Sequence, residues 1–191
     1  MPMQWSNQEN SDNYYLAICD SIAKFCKCHS RKIGCVFVKD EIIVPAYNGP
    51  PRGISHCEER LEGIFQDLRD DILSNKYINA LSLYNDGVRC PRKILGYKSG
   101  EGLGICISGH GERNALLNCA RKGISTLGGT LYMNCTFPCK DCMIEIIQAG
   151  IKEIIYTEEE KYYDYELSKW LAEEAKIITR GITRCLNTTV K

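Results

Sequence analysis

The chain has 191 residues, 44% hydrophobic and 25% charged, and its Lys+Arg and Asp+Glu counts are both 24, for a formal net charge of zero. That length predicts one domain with a proper core. The charge balance argues against a protein that grips a long polyanion, so a small substrate is expected over a nucleic acid.

The polar start Met1-Pro2-Met3-Gln4-Trp5 reads as no secretory leader, and no run approaches the ~20 apolar residues of a membrane span. Twelve cysteines in such a chain indicate a reducing cytoplasm, where thiols bind metal or lie buried. In chain order, Asn13 is placed to cap a first helix with Tyr15, Ile18, Ile22 and Phe25 at helical spacing. Ile33–Val38 and Glu41–Ala46 read as a hairpin through Lys39-Asp40, a turn without the favoured Asn-Gly or Asp-Gly. Tyr47–Gly53 is a Pro/Gly-rich loop. From about 55 to 105 the pattern is mixed, with Cys57–Asp71 helical and loops at Asn85-Asp86-Gly87 and Gly96–Gly104. This stretch is expected to be an insertion with little core of its own. A strand near Ile105–Ile107 then leads to a helix from Glu112 to Lys122, ended by Gly123. A strand at Gly129–Asn134, a helix at Lys140–Ala149 ended by Gly150 and a strand at Lys152–Thr157 follow. A last helix is expected from Tyr162 to Ile178, and a loose tail after Cys185. The order β-β-α-β-α-β-α after an N-terminal helix predicts one α/β domain over 1–191, in three layers with helices on both faces of a mixed sheet.

Two motifs carry the chemistry: Ser108-Gly109-His110-Gly111-Glu112 and Phe137-Pro138-Cys139-Lys140-Asp141-Cys142. One imidazole (His110) and two thiolates (Cys139, Cys142) are three protein ligands for a catalytic zinc, leaving a fourth position for water; structural zinc sites normally close with four protein ligands. Helices starting just after His110 and at Cys139 would aim two N-termini, each with roughly half a positive charge, at one metal and so favour thiolate. Zinc lowers the pKa of its bound water toward ~7. Glu112, two residues beyond the histidine, is placed to move the water's proton to N3 of a cytosine attacked at C4, and later to the departing ammonia. The His-x-Glu…Pro-Cys-x-x-Cys pattern is the signature of the zinc nucleobase deaminases. A zinc knuckle closed by Cys135 is the competing reading, and it leaves Glu112 and Pro138 without a reason.

These motifs sit in a wider match that includes Ser30-Arg31-Lys32-Ile33-Gly34, Ala46-Tyr47-Asn48-Gly49-Pro50-Pro51-Arg52-Gly53, Gly129-Thr130-Leu131-Tyr132 and Ile146-Ile147-Gln148-Ala149-Gly150. Over about Lys24 to Tyr156 the chain resembles the deoxycytidylate (dCMP) deaminases of the cytidine deaminase-like superfamily. The resemblance implies hydrolysis of dCMP to dUMP for thymidylate synthesis. Alternatives are dCTP or a 5-substituted dCMP as substrate and, more remotely, deamination of tRNA or single-stranded DNA. It implies Asn48 as a nucleoside contact, and Arg31 and Tyr132 at the 5′-phosphate. Asn114 would face the pocket or brace its helix; Arg121 would lie near a nucleotide phosphate at a subunit boundary, or act as a last-turn charge. A homo-oligomer, often a hexamer, with dCTP and dTTP as effectors is implied too. Gly111 stands where the family usually has alanine, which predicts a roomier pocket. Some members carry a second, structural zinc; Cys28 and Cys57 occupy two of its ligand places, and Cys90 with His56 or Cys106 would complete a tetrahedron. The alternative is that these are reduced, buried thiols. Cys19, Cys26, Cys35, Cys119 and Cys185 are expected in the core.

Overall fold

The run Cys35-Val36-Phe37-Val38 is rich in residues that fit a pleated, half-buried surface, and it forms β1 (Gly34–Lys39). In the structure, a computed structural model describing residues 8–98, 100–158 and 164–182, β1 turns back into β2 (Ile42–Tyr47). The turn is Asp40-Glu41, one residue later than expected, and both residues have positive φ (45° and 66°). Strand register decides this: Lys39 pairs with Ile42, leaving two residues for a primed hairpin turn. Between β2 and the rest of the core come four short helices, α2 (Cys57–Arg60), α3 (Gln66–Leu73), α4 (Ala80–Asn85) and α5 (Pro91–Ile94), and a 3-10 turn at Leu103–Ile105. Then follow α6 (Gly111–Arg121), β3 (Thr130–Thr136), α7 (Lys140–Gln148), β4 (Glu153–Glu158), α8 (Tyr165–Glu174) and β5 (Ile178–Gly181).

The strands form one mixed sheet, ordered β2-β1-β3-β4-β5. β1 is antiparallel to both neighbours, and β3, β4 and β5 run parallel. Side chains alternate across it, as a strand period of two requires. Val36, Tyr132 and Ile155 point to Leu16 and Cys19 of α1 (Gln8–Ala23) on one face. Cys35, Phe37, Leu131, Met133 and Ile154 point to Ala115 and Cys119 of α6, Met143 and Ile146 of α7 and Ala172 of α8 on the other. The helices thus cover both faces, as the sequence predicts. α1 lies so close to β1 that a Cβ on Gly34 would stand 1.9 Å from the Cys19 carbonyl oxygen; only glycine fits there.

Four expectations are corrected. Asn13 lies inside α1 and caps nothing, because the helix already includes Gln8. The stretch expected as a strand at Ile105–Ile107 begins in the 3-10 turn and joins the fold through a single antiparallel bridge, Gly49 to Gly109. The last helix stops at Glu174, and Ile178 begins β5 instead, a parallel edge strand whose apolar signal was too short to separate from the helix. The insertion has a core of its own, with Leu61, Ile72, Ala80 and Ile94 buried among Phe65, Leu68, Tyr77, Tyr84 and Val88. Residues after 182, including Cys185, lie outside the described residues. Among those described, no helix is long and apolar enough to cross a membrane.

Candidate active site

His110 and Cys139 are the N-cap residues of α6 and α7, both with extended backbone (φ −69°, ψ 156° and φ −68°, ψ 162°). A side chain at that position leaves the helix sideways, and neither one bonds back to cap its own helix. The imidazole and thiol therefore meet between the two helix ends. Cys142, one turn into α7, completes the group. His110 Nδ1 lies 3.3 Å from Cys142 Sγ and 3.5 Å from Cys139 Sγ, and all three donor atoms lie within 4.8 Å of one another. Zinc at ~2.3 Å from sulfur and ~2.0 Å from nitrogen in a tetrahedron sets those donors roughly 3.6 Å apart, so the residues present fit that metal. The group is closed on the Cys142 side, half-buried at Cys139 and open to solvent at His110.

The three donors polarise one another. The Cys142 thiol, hydrogen-bonded to Cys139, pulls Cys139 down to about 4 against the effect of burial, with His110 adding to the pull. Bonding to that sulfur raises His110 to about 9. Glu112, in the first turn of α6, is 4% exposed, and burial raises its carboxyl above the ordinary range despite the opposing pull of His110. Its Oε2 is buried with no hydrogen-bond partner, a costly state for a carboxylate oxygen unless a ligand completes it. Next to it Arg113 forks onto Glu145, Nε to Oε2 and Nη2 to Oε1, both at 2.8 Å, clamping α6 to α7 beside the donors. Local sequence carries no sign of this clamp, since its ends are 32 residues apart.

The remaining predicted residues divide sharply by position. Asn48 is buried next to the site, and its amide is used by the chain itself: Oδ1 accepts from Ile33 N–H (2.8 Å) and the Cys26 thiol (2.9 Å), and Nδ2 donates to the Arg31 carbonyl (3.0 Å). Asn48 thus fixes the loop that carries Arg31. Asn114 braces, its Nδ2 donating to the carbonyls of Tyr47 (2.8 Å) and Gly109 (3.4 Å). Tyr132 is placed elsewhere. Its hydroxyl donates to Asp12 Oδ1 at 3.0 Å on the α1 face of the sheet, opposite the helices that carry the donors, because an even position of β3 points that way. Arg121 is exposed at the far end of α6, ~15 Å along the axis from Gly111. Gly111 does not enlarge the pocket: a Cβ there would lie 3.3 Å from both Cys35 Cβ and Ile33 Cγ2, so Cys35 of β1 and Ile33 just before it already fill the space of the missing methyl. Cys135 is buried in the core.

Cys28, His56, Cys57, Cys90 and Cys106 all line one pocket between the insertion and the core, with Lys27 and Arg92 at its edge. A hydrogen bond from Cys57 holds Cys90 down to about 6, and one from Cys26 holds Cys28 down to about 5. Their donor atoms converge less closely than those of His110, Cys139 and Cys142, the one such group among the described residues with all donors within 4.8 Å.

Residues 9–158 match the family model described as the cytidine and deoxycytidylate deaminase zinc-binding region. The deoxycytidylate deaminase of Enterobacteria phage T2 is 31% identical over 162 residues, 81% of this chain and 82% of that protein. That of Schizosaccharomyces pombe is 32% identical over 146 residues, 76% of this chain. The chain spans only 36% and 37% of the length of the two yeast relatives, from S. pombe and Saccharomyces cerevisiae. A solved structure of the dCMP deaminase from cyanophage S-TIM5, in complex with dCMP and dUMP, superposes with a TM-score of 0.62 over 92% of this chain and 98% of that one. At 20% identity that likeness is one of fold.

Proposed function

The chain belongs to the family of the cytidine and deoxycytidylate deaminase zinc-binding region, and we propose that it hydrolyses dCMP to dUMP and ammonia. The observation that carries this reading is Glu112, a buried carboxylate with a free oxygen, on the helix whose N-cap is His110 and beside three donors spaced for zinc. In this reading His110, Cys139 and Cys142 hold the metal. When bound, zinc makes a coordinated water acidic enough to attack C4 of the pyrimidine near neutral pH. With the metal in place, Glu112 would accept a proton on Oε2, pass it to N3 of the pyrimidine, and then help protonate the 4-amino group as it leaves. Asn48 holds the Arg31–Ile33 segment in place, and Arg31 is assigned to the 5′-phosphate, which a guanidinium binds in a bidentate fashion.

The decisive experiment supplies zinc-replete protein with dCMP, dCTP, deoxycytidine and 5-methyl-dCMP and quantifies each uracil or thymine product. Turnover of dCMP that Glu112→Ala reduces by about 10²–10⁴, with zinc content unchanged, supports the reading. No turnover of any of the four by zinc-loaded protein overturns it.

The same reading includes a structural zinc between insertion and core, held by Cys28, Cys57 and Cys90 with Cys106 or His56, since these side chains line one pocket. It also includes self-association and effector nucleotides at the outward side of α6, where Leu117 is 55% exposed one turn before Arg121. Sedimentation with and without dCTP and dTTP tests this assignment. A reducing cytoplasm agrees with the eleven free thiols among the described residues.

A further inference from the structure

An N-cap side chain normally accepts a hydrogen bond from the first turn of its own helix. The N-cap of α7 is Cys139, and its side chain makes no such bond. The first turn of α7 is served from outside instead. Asp164 Oδ2 accepts from Lys140 N–H at 2.8 Å. Asp164 itself occupies the N-cap position of α8, yet makes no side-chain cap bond there. One turn on, Ser168 is fully buried, and its hydroxyl donates to the Pro138 carbonyl at 2.8 Å. Between them, Tyr165 meets the Phe137 ring edge-on, with centroids 5.6 Å apart. Phe137, Pro138 and Lys140 are therefore each held by α8, and Cys139, in their midst, turns its sulfur to His110. α8 lies beyond residues 9–158, the part that matches the family model.

We propose that Asp164 and Ser168 are positioning residues for the metal loop, holding the peptides on both sides of Cys139 from a neighbouring helix. The inference rests on the zinc reading above. Asp164 orients the peptide of Lys140, and Ser168 orients that of Pro138, so the backbone on both sides of Cys139 is fixed before metal arrives. Asp164 Oδ1 stays buried with no partner, which a purely local turn would have no reason to retain.

The test loads the metal-free protein with cobalt(II), which reports thiolate ligation through its charge-transfer and d–d bands. It then follows release of the metal to a chelator. The proteins compared are wild type, Asp164→Ala, Asp164→Asn, Ser168→Ala and, to mark which bands belong to this site, Cys139→Ala. Thermal melting of each metal-free protein is recorded alongside. Asp164→Ala and Ser168→Ala are expected to release the Cys139-dependent metal about tenfold faster and to alter its bands. Asp164→Asn keeps an acceptor oxygen, and is expected to release metal at close to the wild-type rate. Lower melting temperatures with unchanged bands and release rates would overturn the positioning role and leave α8 as scaffold. If Asp164→Ala does not fold, Ser168→Ala, a loss of one oxygen, decides the matter by the same readings. Wild-type protein without Cys139-dependent bands would sink the zinc reading and this inference together. With those bands present, unmoved variants sink this inference alone.

Discussion

Glu112 Oε2 and Gly111 show how much single atoms decide at this site. The carboxylate oxygen is buried without a partner, whereas the space of the methyl missing from the preceding residue is already filled by Ile33 and Cys35. Gly111→Ala therefore presses on β1 and leaves the substrate side unaltered. Alanine adds helix propensity at the first helical position and pays with contacts a few tenths of an ångström too short. These nearly cancel, and the change in stability should stay within about 1 kcal/mol. Urea unfolding checks that figure. The ratio of 5-methyl-dCMP to dCMP turnover should move less than about twofold, and a larger rise for the bulkier base would restore the idea that Gly111 makes room for it. A residue type read from sequence shows that a methyl is missing; which neighbour takes its space is a property of the packed core.

At the scale of elements, two joints decide how the sheet is held. The hairpin turn places Asp40 and Glu41, both non-glycine, in the left-handed region, at a cost of roughly 1–2 kcal/mol for each such residue. Replacing the pair with Asn-Gly, the favoured sequence for this turn, should raise stability by about 1–2 kcal/mol in chemical denaturation, with kcat unchanged. The second joint is Asp12, 2% exposed on α1, which accepts from Tyr132 of β3 and is forked by Arg180 of β5, itself bonded to Glu153 of β4 (2.7 Å). Burial alone would raise the Asp12 carboxyl, but bonds from Arg180, Gln8 and Tyr132 outweigh it and hold the pKa below 3.8. A depressed carboxylate contributes stability above its unfolded pKa of about 3.9 and loses it as pH falls through the lower folded value. Asp12→Asn should thus cost about 3 kcal/mol at pH 7 and flatten the loss of stability below about pH 4, as denaturation at pH 7 and pH 3 would reveal. Tyr132 belongs to this joint.

Over the whole molecule, the chain divides into the three-layer core with its candidate active site and an insertion with a small separate core, and the thiol-lined pocket lies where they meet. Arg60 ties the two ends of the insertion together, with Nη2 donating to the Ile105 carbonyl at 2.8 Å. Metal bound in the pocket would add its binding energy to the docking of the insertion. The protein as purified should carry two zinc ions per chain, and Cys57→Ser should leave one. In that variant hydrogen exchange over about 57–105 should quicken, with little change over α6, β3 and α7. One zinc per chain in undepleted wild type would refute the structural site while leaving the catalytic one standing.

The α/β class and the zinc-binding motif were legible in the sequence by itself. His110, Glu112, Cys139 and Cys142 stand at spacings tied to two helix starts, and alternation and glycine stops reveal most of the central elements, because these signals are local to a turn or a strand. Tertiary structure alone decided what distant residues do to one another. It gave Tyr132 to Asp12, Asn48 and Asn114 to the backbone of neighbouring loops, Ile33 to the space beside Gly111, and Asp164 and Ser168 to the loop around Cys139. Each of these pairings joins groups 15 to 120 residues apart, or turns on which face of a strand a side chain occupies, and neither property leaves a trace in local composition or periodicity.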